Sequence, residues 1–369
     1  MNRIAGIINL DQEQDFLDEL TYFRCGAAVP YAGHYRMIDF TISNMVHSSI
    51  ESIAIFTRRK YRSLLDHLEQ GKAWDLDRQR GGLFILPPDW NDPTDISRGD
   101  LKHFHNNMDY INRVQADYIL VTGAQNICNI NFQDVLAEHK ASKADVTVIY
   151  KKVCELYPEH HLASKLTINK QNNRVTAIHN DPKSQDIYMN MYLVKKSYLY
   201  ALIEECIARG HTNLFADAIK ANVEDIHIHA YEYKGVHSLI NSVESYYRNS
   251  TKLLNEIEHD ALFNEDSPIY TKVKDEAPTK FLPNSKVKNT IVANGCVIEG
   301  QVEGSILFRG VKVGKGSTIR NSIIMQRCEI DSGVVLENVI IDKDCKINSG
   351  RMLIGAKEKP FVVAKRKIM

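Results

Sequence analysis

The stretch VKVGKG at residues 311–316 decides the fold of the second half of the chain, because it returns at a constant interval. CEIDSG follows 17 residues later at 328–333, and CKINSG follows after another 17 residues at 345–350. A less regular copy, CVIEG, precedes them at 296–300. An apolar residue at about every sixth position, with glycine at the turns, is typical of a β-solenoid whose coils stack on one another. The interval therefore predicts a β-solenoid over residues 285–369, ending in a basic tail.

The first 240 residues have a different pattern, in which short β-rich runs alternate with amphipathic stretches. The runs predict strands at residues 4–8, 52–57, 118–122, 146–150, 189–194 and 227–233. The stretches predict helices at residues 42–48, 61–70, 132–139, 197–208 and 213–221. This alternation is typical of an α/β domain with a mostly parallel sheet and helices on both faces. Ligands of such sheets bind beyond the carboxyl ends of the strands.

A connection separates the two regions. A helical pattern over residues 242–258 leads into a stretch interrupted by Pro268, Pro278 and Pro283. Because proline interrupts regular structure, we expect an extended connector there. The sequence thus predicts a first domain at residues 1–245, a helix and linker at 246–284, and the solenoid at 285–369.

Composition excludes several classes of function. The chain of 369 residues has 46 basic and 46 acidic side chains, so its net charge offers no general attraction to nucleic acid or to an anionic membrane. No apolar run approaches the roughly 18 residues that span a bilayer. Seven cysteines occur without a paired motif, which favours reduced thiols and a cytoplasmic location.

Two further stretches carry a resemblance to a known family. VPYAGHYRMIDFTISN at residues 29–44 and WDLDR at 74–78, followed by GG at 81–82 and LPP at 86–88, resemble segments of bacterial glucose-1-phosphate adenylyltransferases. The resemblance implies a nucleotidyltransferase domain of the GT-A, Rossmann-like kind and a left-handed parallel β-helix. It also implies a reaction of glycogen biosynthesis, in which ATP and glucose 1-phosphate give ADP-glucose and pyrophosphate.

Catalytic members of that family need groups for the triphosphate, the sugar phosphate and Mg²⁺, and this chain lacks five of them. No glycine and no arginine lie between Gly6 and Arg24, where the family has a glycine-rich loop with an arginine. By the resemblance, four further positions have lost the residue that catalysis needs. Gly26 stands in place of a lysine, Gln125 in place of a metal-binding aspartate, Asp181 in place of a lysine, and Leu239 in place of a second metal-binding aspartate. Since one charge-stabilising group contributes about 2.7–4 kcal/mol to catalysis, we expect no catalytic residues, no metal, and lost ATP and Mg²⁺ sites.

Other family residues remain. Asp39, Trp74, Asp75, Asp77 and Arg78 stand in the family motif, where we expect them to maintain the fold. The resemblance also implies an effector site for a sugar phosphate, a phosphate or a nucleotide between the first domain and the solenoid. Its candidate residues are Arg24, Arg36, Lys365 and Arg366, because basic clusters bind phosphate through charge-assisted hydrogen bonds. The alternative for the last two is an ordinary solvated chain end.

The chain resembles most the D-type regulatory paralogue, so we expect a non-catalytic subunit that modulates the catalytic glucose-1-phosphate adenylyltransferase in a hetero-oligomer, a tetramer by the resemblance. One alternative is an active sugar-nucleotide pyrophosphorylase with altered catalytic residues or specificity. Another is a solenoid acyltransferase, which the lack of any histidine between residues 285 and 350 disfavours. The pairs His103 and His105, and His227 and His229, are interpreted as ordinary histidines because neither pair has a third metal ligand nearby.

Overall fold

The computed structural model describes residues 3–11, 16–57, 59–87 and 99–369, which leaves Pro88 of the LPP motif outside the described residues. The chain forms two compact units. The first comprises Met1–Gln14, Phe40–Leu239 and Glu265–Tyr270, and the second comprises Asp15–Asp39, Ile240–Asn264 and Thr271–Met369. The second unit thus joins an early stretch of the chain to the solenoid. The boundaries at residues 245 and 284 stay a prediction.

Thirteen strands precede the solenoid among the described residues. They are β1 (Ile4–Asn9), β2 (Pro30–Tyr31), β3 (Tyr35–Arg36), β4 (Ser52–Phe56), β5 (Gly82–Leu86), β6 (Tyr118–Thr122), β7 (Asn126–Cys128), β8 (Val146–Lys152), β9 (Lys165–Asn169), β10 (Arg174–His179), β11 (Asp186–Lys195), β12 (Ile228–Glu232) and β13 (His237–Leu239). The α-helices are α1 (Met37–His47), α2 (Arg62–Leu68), α3 (Leu101–Asn106), α4 (Met108–Arg113), α5 (Phe132–Ser142), α6 (Pro158–His161), α7 (Lys196–Ala208), α8 (Val243–Lys252) and α9 (Glu256–Leu262).

The first unit is built on a nine-stranded sheet in the order β5-β4-β1-β6-β11-β8-β12-β10-β9. Strands β10 and β11 pair antiparallel with their neighbours, and the other seven run in one direction. This confirms the predicted α/β class with a mostly parallel sheet. Strands β1 and β6 lie side by side, so Asn9 and Thr122 come to the same edge, where the family's chemistry is expected.

Most predicted elements exist, with ends shifted by a few residues. The predicted helix at 213–221 is a π-helix, Leu214–Lys220. The single helix predicted over 242–258 was wrong, because α8 ends at Lys252 and α9 begins at Glu256. The break follows from Asn255, whose side chain accepts a hydrogen bond from the Ile257 amide at 2.9 Å and caps the second helix.

The second unit contains the predicted left-handed parallel β-helix. Its strands are β14 (Lys280–Phe281), β15 (Lys286–Lys288), β16 (Ile291–Val292), β17 (Val297–Ile298), β18 (Gln301–Glu303), β19 (Ile306–Leu307), β20 (Lys312–Val313), β21 (Thr318–Arg320), β22 (Ile323–Ile324), β23 (Glu329–Ile330), β24 (Val335–Glu337), β25 (Val339–Ile341), β26 (Lys346–Ile347), β27 (Met352–Ile354) and β28 (Phe361–Val363). They form three parallel sheets of five strands each. The predicted 17-residue interval is the register of this stack, since Thr318 pairs with Val335 and Val335 with Met352.

The interior of the β-helix holds the repeated cysteines. Cys296, Cys328 and Cys345 are all buried, and each thiol donates to a carbonyl oxygen further along the chain, at 3.2, 3.0 and 3.2 Å respectively. The predicted role of Cys328 and Cys345 as buried core residues is confirmed. Small weakly polar thiols fit this narrow interior, where a weak hydrogen bond satisfies them.

One outer face of the β-helix is also buried. Ile306, Ile323 and Ile340 face away from the interior, yet they are fully inaccessible to solvent. Within the same unit, the early stretch 15–39 and helix α8 lie close by, and the Tyr247 hydroxyl donates to the Asn321 carbonyl at 2.5 Å. A short solenoid buries little core by itself, and this additional burial gives the second unit a larger hydrophobic core.

The two units also differ in where their polar and charged side chains cluster. In the first unit they cluster at the carboxyl ends of β1 and β6, and in the second at one corner of the β-helix. Within the described part of the chain, no helix is both long enough and apolar enough to cross a membrane.

Candidate functional site

Two of the predicted degenerate positions lie together at the edge where β1 and β6 end. Gln125 follows β6 and lines a cavity there. Its neighbour Asn126 pairs with Leu239 across the antiparallel strands β7 and β13. Leu239 is buried, and its side chain offers no ligand atom to a metal ion. Leu239 thus lies across from the residue next to Gln125, and both positions hold uncharged residues. Their assignment as lost metal ligands stays a prediction.

The cavity at this edge is small. Its volume is about 40 Å³, whereas ligand pockets for drug-sized molecules are about 300–1,000 Å³. A water molecule needs at least about 10–15 Å³, so the space accommodates a few waters. Its lining is formed by polar and aromatic side chains together with short backbone segments, namely Asn9, Asp100, Val121, Thr122, Gly123, Gln125, Asn126, Tyr188, Asn190, Tyr192 and Phe215.

A buried carboxylate closes one side of this cavity. The side-chain amide of Asn9 donates to Asp100 at 2.7 Å, and the backbone amide of Leu214 donates to its other oxygen at 2.9 Å. Asp100 is 1% exposed. A carboxylate held in this way presents negative charge toward the space that a triphosphate would need, and Coulomb repulsion then opposes phosphate binding.

Aromatic rings fill the other side. Phe215, on the π-helix, stacks on Tyr188 with ring centroids 4.7 Å apart and an angle of 11° between the planes. The Phe215 and Tyr192 centroids are 5.5 Å apart. Burial raises the pKa of both tyrosine hydroxyls well above their usual value, so both stay neutral. The three rings form a packed aromatic wall on this side of the cavity.

The remaining degenerate positions lie elsewhere. Asp181 is exposed in the turn after β10, where its carboxylate accepts a hydrogen bond from the Lys183 amide at 2.9 Å, and it does not line the cavity. Gly26 begins a short 3₁₀-helix, Gly26–Ala28, in the second unit. Their assignment as lost phosphate contacts stays a prediction.

The retained WDLDR stretch anchors a loop in the first unit. Trp74 is 1% exposed, and its indole N–H donates to the Ser43 hydroxyl oxygen at 3.3 Å. The same oxygen accepts a hydrogen bond from the Tyr270 amide at 2.9 Å. Arg78 donates to the Asp75 carboxylate at 2.6 Å and to Glu51 at 2.9 Å. These contacts indicate that the stretch stabilises the fold.

Asp39 and Asp77 differ in their surroundings. Asp39 is fully buried, and its carboxylate accepts the backbone amide of Arg36 at 2.9 Å, which fixes the start of helix α1. Asp77 is exposed on the surface of the loop. Burial lowers the pKa of the Arg36 guanidinium to about 10, Asp39 opposes that shift, and Arg24 and Arg309 add to it.

The second unit holds a cluster of cations around one corner of the β-helix, which we call the basic corner. Its members are six side chains that act on one another electrostatically, namely Arg24, Arg36, Lys274, Arg309, Lys343 and Lys365. Four carboxylates oppose them, from Asp39, Asp342, Asp344 and Glu276. Arg24 and Asp342 form a buried ion pair, which leaves the other cations in excess.

Lys343 is the most strongly affected member. Burial lowers the pKa of its amino group to about 6, the cations Arg36, Arg24 and Lys365 add to the effect, and only Asp342 opposes it. Lys365 has a lowered pKa for the same reasons, burial first and then Arg24 and Arg366. The structure therefore brings together the predicted effector residues Arg24, Arg36 and Lys365, with Arg366 next to them in sequence. Their binding role stays a prediction.

Lys343, Arg309 and Lys274 were missed by the sequence analysis. The same corner of three successive coils holds Arg309, Gln326 and Lys343, which are 17 residues apart in sequence. The 17-residue repeat was therefore a signal that these three residues lie together. Gln326 is 6% exposed, and its side-chain oxygen is buried without a hydrogen-bond partner. An unsatisfied buried polar atom inside a cation cluster indicates a missing partner there.

The surroundings of His103 are those of an ordinary histidine in the core. His103 stacks on Phe56 and its Nε2 lies 3.1 Å from the Leu86 carbonyl oxygen, so it is a core residue. His229 lies 3.1 Å from a Glu138 oxygen. Within residues 3–11, 16–57, 59–87 and 99–369, no group of three His, Cys, Asp or Glu side chains could hold a metal ion.

Comparison with known proteins agrees with this geometry. Residues 17–255 match the family described as Nucleotidyl transferase, and residues 277–360 match the family described as GlmU-like, C-terminal hexapeptide. The glycogen biosynthesis protein GlgD of Geobacillus stearothermophilus is 42% identical over 99% of this chain and 96% of its own length. GlgD of Bacillus subtilis (strain 168) is 38% identical over 86% of this chain and 83% of its own length.

The chain belongs to the GlgD family. It is also related to catalytic nucleotidyl transferases, since a glucose-1-phosphate adenylyltransferase of Geobacillus stearothermophilus is 31% identical over 79% of this chain and 77% of its own length. GlgD membership confirms the predicted resemblance, and the hexapeptide match agrees with the β-helix.

Proposed function

We propose that this chain is a non-catalytic regulatory subunit of glucose-1-phosphate adenylyltransferase, acting in the cytoplasm in glycogen biosynthesis. The observation that carries the proposal is the small cavity, of about 40 Å³, at the edge where nucleotide chemistry is expected. Gln125 and Leu239 supply no carboxylate there, and Asp100 is already held by two hydrogen bonds. Mg²⁺-assisted phosphoryl transfer needs carboxylate ligands and charge neutralisation; the amide oxygen of Gln125 is a neutral, weaker ligand, and Leu239 offers none.

The regulatory half of the proposal rests on the basic corner. The basic corner holds three arginines, Arg24, Arg36 and Arg309, and arginine recognises phosphate through paired hydrogen bonds. A sugar phosphate, a phosphate or a nucleotide fits this chemistry. If such an anion binds one quaternary state of a mixed oligomer more tightly, it shifts the activity of the catalytic partner.

The partner proposed is the catalytic glucose-1-phosphate adenylyltransferase, in a hetero-oligomer with four subunits. Relatives of both kinds exist in Geobacillus stearothermophilus and in Bacillus subtilis, which supports the idea of a pair. An active pyrophosphorylase with altered catalytic residues is the competing function, and the small cavity and the absence of a carboxylate at Gln125 and Leu239 disfavour it.

Co-expression with the catalytic subunit tests the proposal. We expect a mixed complex of defined native mass, and turnover per catalytic subunit that differs from that of the catalytic subunit alone. Isolated chain should make no ADP-glucose from ATP and glucose 1-phosphate with Mg²⁺. Absence of any mixed complex would contradict the regulatory role, and Mg²⁺-dependent synthesis by the isolated chain would support the competing function.

A further inference from the structure

A groove of about 520 Å³ lies at the edge of the nine-stranded sheet that is opposite to the cavity at Gln125. Strands β6 and β8 begin there and β11 ends there, between the last turn of helix α5 and the first turn of helix α7. The residues that line it all belong to the first unit. Since pockets for small molecules have volumes of about 300–1,000 Å³, the groove is large enough for a ligand.

Three lysines give this groove a positive charge. Lys140 lies in the last turn of α5, Lys143 directly follows that helix, and Lys195 is the last residue of β11. All three residues are exposed. Asp145 supplies the carboxylate of the lining, and one of its oxygens already accepts a hydrogen bond from the His227 amide at 2.8 Å. Positive charge is therefore in excess, and lysines in such a set bind phosphate through charge-assisted hydrogen bonds.

The start of helix α7 adds to the positive potential. Lys195 stands at its N-cap position, where asparagine, aspartate, serine or threonine usually accepts hydrogen bonds from the first amides. An ammonium group cannot accept them, and the first turn of α7 holds no acidic residue. The N-terminus of a helix carries about half a positive elementary charge, so a cation there is unfavourable unless an anion compensates it. Ser197, in the same turn, lines the groove, so an anion bound there would lie against this turn.

A buried histidine is an independent observation at the same groove. His139 is 3% exposed, and its Nδ1 lies 2.8 Å from the Thr147 hydroxyl oxygen. Its Nε2 has no hydrogen-bond partner among the described residues and is not enclosed by protein, so it is open to the groove. Burial, followed by the charge of His229, lowers the pKa of the imidazole to about 4 and keeps the ring neutral. A hydroxyl group pairs with this nitrogen in either tautomer, because it both donates and accepts.

Two tyrosine rings line the groove beside these groups. Tyr118 pairs with Lys195 across strands β6 and β11, so the two side chains leave the sheet on the same face. The Lys140 nitrogen lies 5.7 Å from the centroid of the Tyr118 ring, and the centroid of the His139 ring lies 5.4 Å from it. Tyr198, in the first turn of α7, supplies the second ring. Aromatic rings bind planar bases by stacking, which inorganic phosphate does not need.

We propose that this groove binds a nucleoside monophosphate. The lysines and the first turn of α7 contact the phosphate, His139 pairs with a hydroxyl of the sugar, and the tyrosine rings hold the base. The site shares no residue with the basic corner of the second unit, so the inference goes beyond the proposed effector site.

Photoaffinity labelling of the full chain with azidoadenosine monophosphate, followed by mass spectrometry of the proteolytic peptides, tests the proposal. We expect saturable labelling of peptides that contain Tyr118 or Tyr198. Unmodified adenosine monophosphate should protect them at lower concentration than either adenosine or inorganic phosphate does, because each of the latter carries half of the required groups. The double variant Lys143→Ala with Lys195→Ala should bind at least about tenfold more weakly, since it loses two charged donors.

The matched control is the double variant Lys170→Ala with Lys183→Ala. Both lysines are exposed and belong to the first unit, yet neither lines the groove, so the variant should be labelled like the unaltered chain. Labelling confined to peptides of the second unit would overturn the inference and leave the effector site at the basic corner intact. Equal labelling of the Lys143 and Lys195 double variant and the unaltered chain would overturn it too, as would the absence of any saturable labelling.

Discussion

The Asn9 side-chain amide donates a 2.7 Å hydrogen bond to the Asp100 carboxylate at the carboxyl end of β1. This contact joins the end of strand β1 to the residue just before helix α3. The Leu214 amide donates to the other carboxylate oxygen at 2.9 Å. Asp100 is thus fixed by two hydrogen bonds on one side of the cavity.

Replacing Asp100 by alanine should therefore destabilise the fold. Asn9 and the Leu214 amide would both lose a buried partner, and each unsatisfied polar group costs about 1–3 kcal/mol. We expect a fall of about 2–4 kcal/mol in the free energy of unfolding, measured by urea denaturation. Asp109→Ala is the control, because Asp109 is exposed and loosely paired with Arg113, so it should change stability by less than about 0.5 kcal/mol.

Restoring the two metal carboxylates should not restore catalysis. Gln125→Asp and Leu239→Asp together supply the missing ligands, yet the cavity remains about 40 Å³ and stays lined by Phe215 and Asp100. We expect no ADP-glucose above background in a radiometric assay with ATP, glucose 1-phosphate and Mg²⁺. Folding of the double variant is checked by circular dichroism, since Leu239 is buried. Clear Mg²⁺-dependent synthesis would show that the cavity opens to substrates.

Removing one partner of the buried ion pair should destabilise the second unit more than removing both partners. Arg24→Met leaves the Asp342 carboxylate buried without its cation, and such a change costs about 3–5 kcal/mol. The double variant Arg24→Met with Asp342→Asn removes both charges, so we expect it to recover most of that loss. Thermal unfolding of both proteins measures the difference. Equal melting temperatures for the two variants would contradict the pairing.

Stability should fall in acid partly through His103. Burial lowers the pKa of His103 to about 4 in the folded protein, against about 6.5 when unfolded. The unfolded chain thus binds more protons between these values, and the free energy of unfolding decreases as the pH falls from 6.5 to 4, by up to about 1.4 kcal/mol per pH unit.

His103→Gln should therefore lose less stability than the unaltered chain between pH 7.5 and pH 5, as measured by urea denaturation. His105→Gln is the matched control two residues away, because His105 is exposed. It should keep the pH dependence of the unaltered chain. An unchanged slope in His103→Gln would contradict the assignment.

The solenoid could be predicted from sequence because its coils impose one period on the chain, and Cys328 and Cys345 sit at matching places in it. The central strands could be predicted because both faces are buried, so their residues form continuous apolar runs. Strands β9 and β10 were missed because they lie at the far edge of the sheet, where Thr167 and Thr176 are exposed and the apolar runs are broken.

The resemblance was enough to predict the degenerate positions, but it could not predict the packing around the cavity. Phe215 lies on a π-helix that is distant in sequence from Tyr188, so no local sequence pattern encodes the contact between the two rings. Lys343 was missed for the same reason. Its environment is made by Arg24 and Arg36, more than 300 residues earlier in the sequence.

Titration of the chain into a fixed amount of catalytic glucose-1-phosphate adenylyltransferase tests the central claim most directly. Initial rates of ADP-glucose formation are measured at each ratio, and the chain is also assayed alone. The account predicts no synthesis by the chain alone and a rate per catalytic subunit that changes and then saturates at a fixed stoichiometry. A rate that stays constant at every ratio, or synthesis by the chain alone, would contradict it.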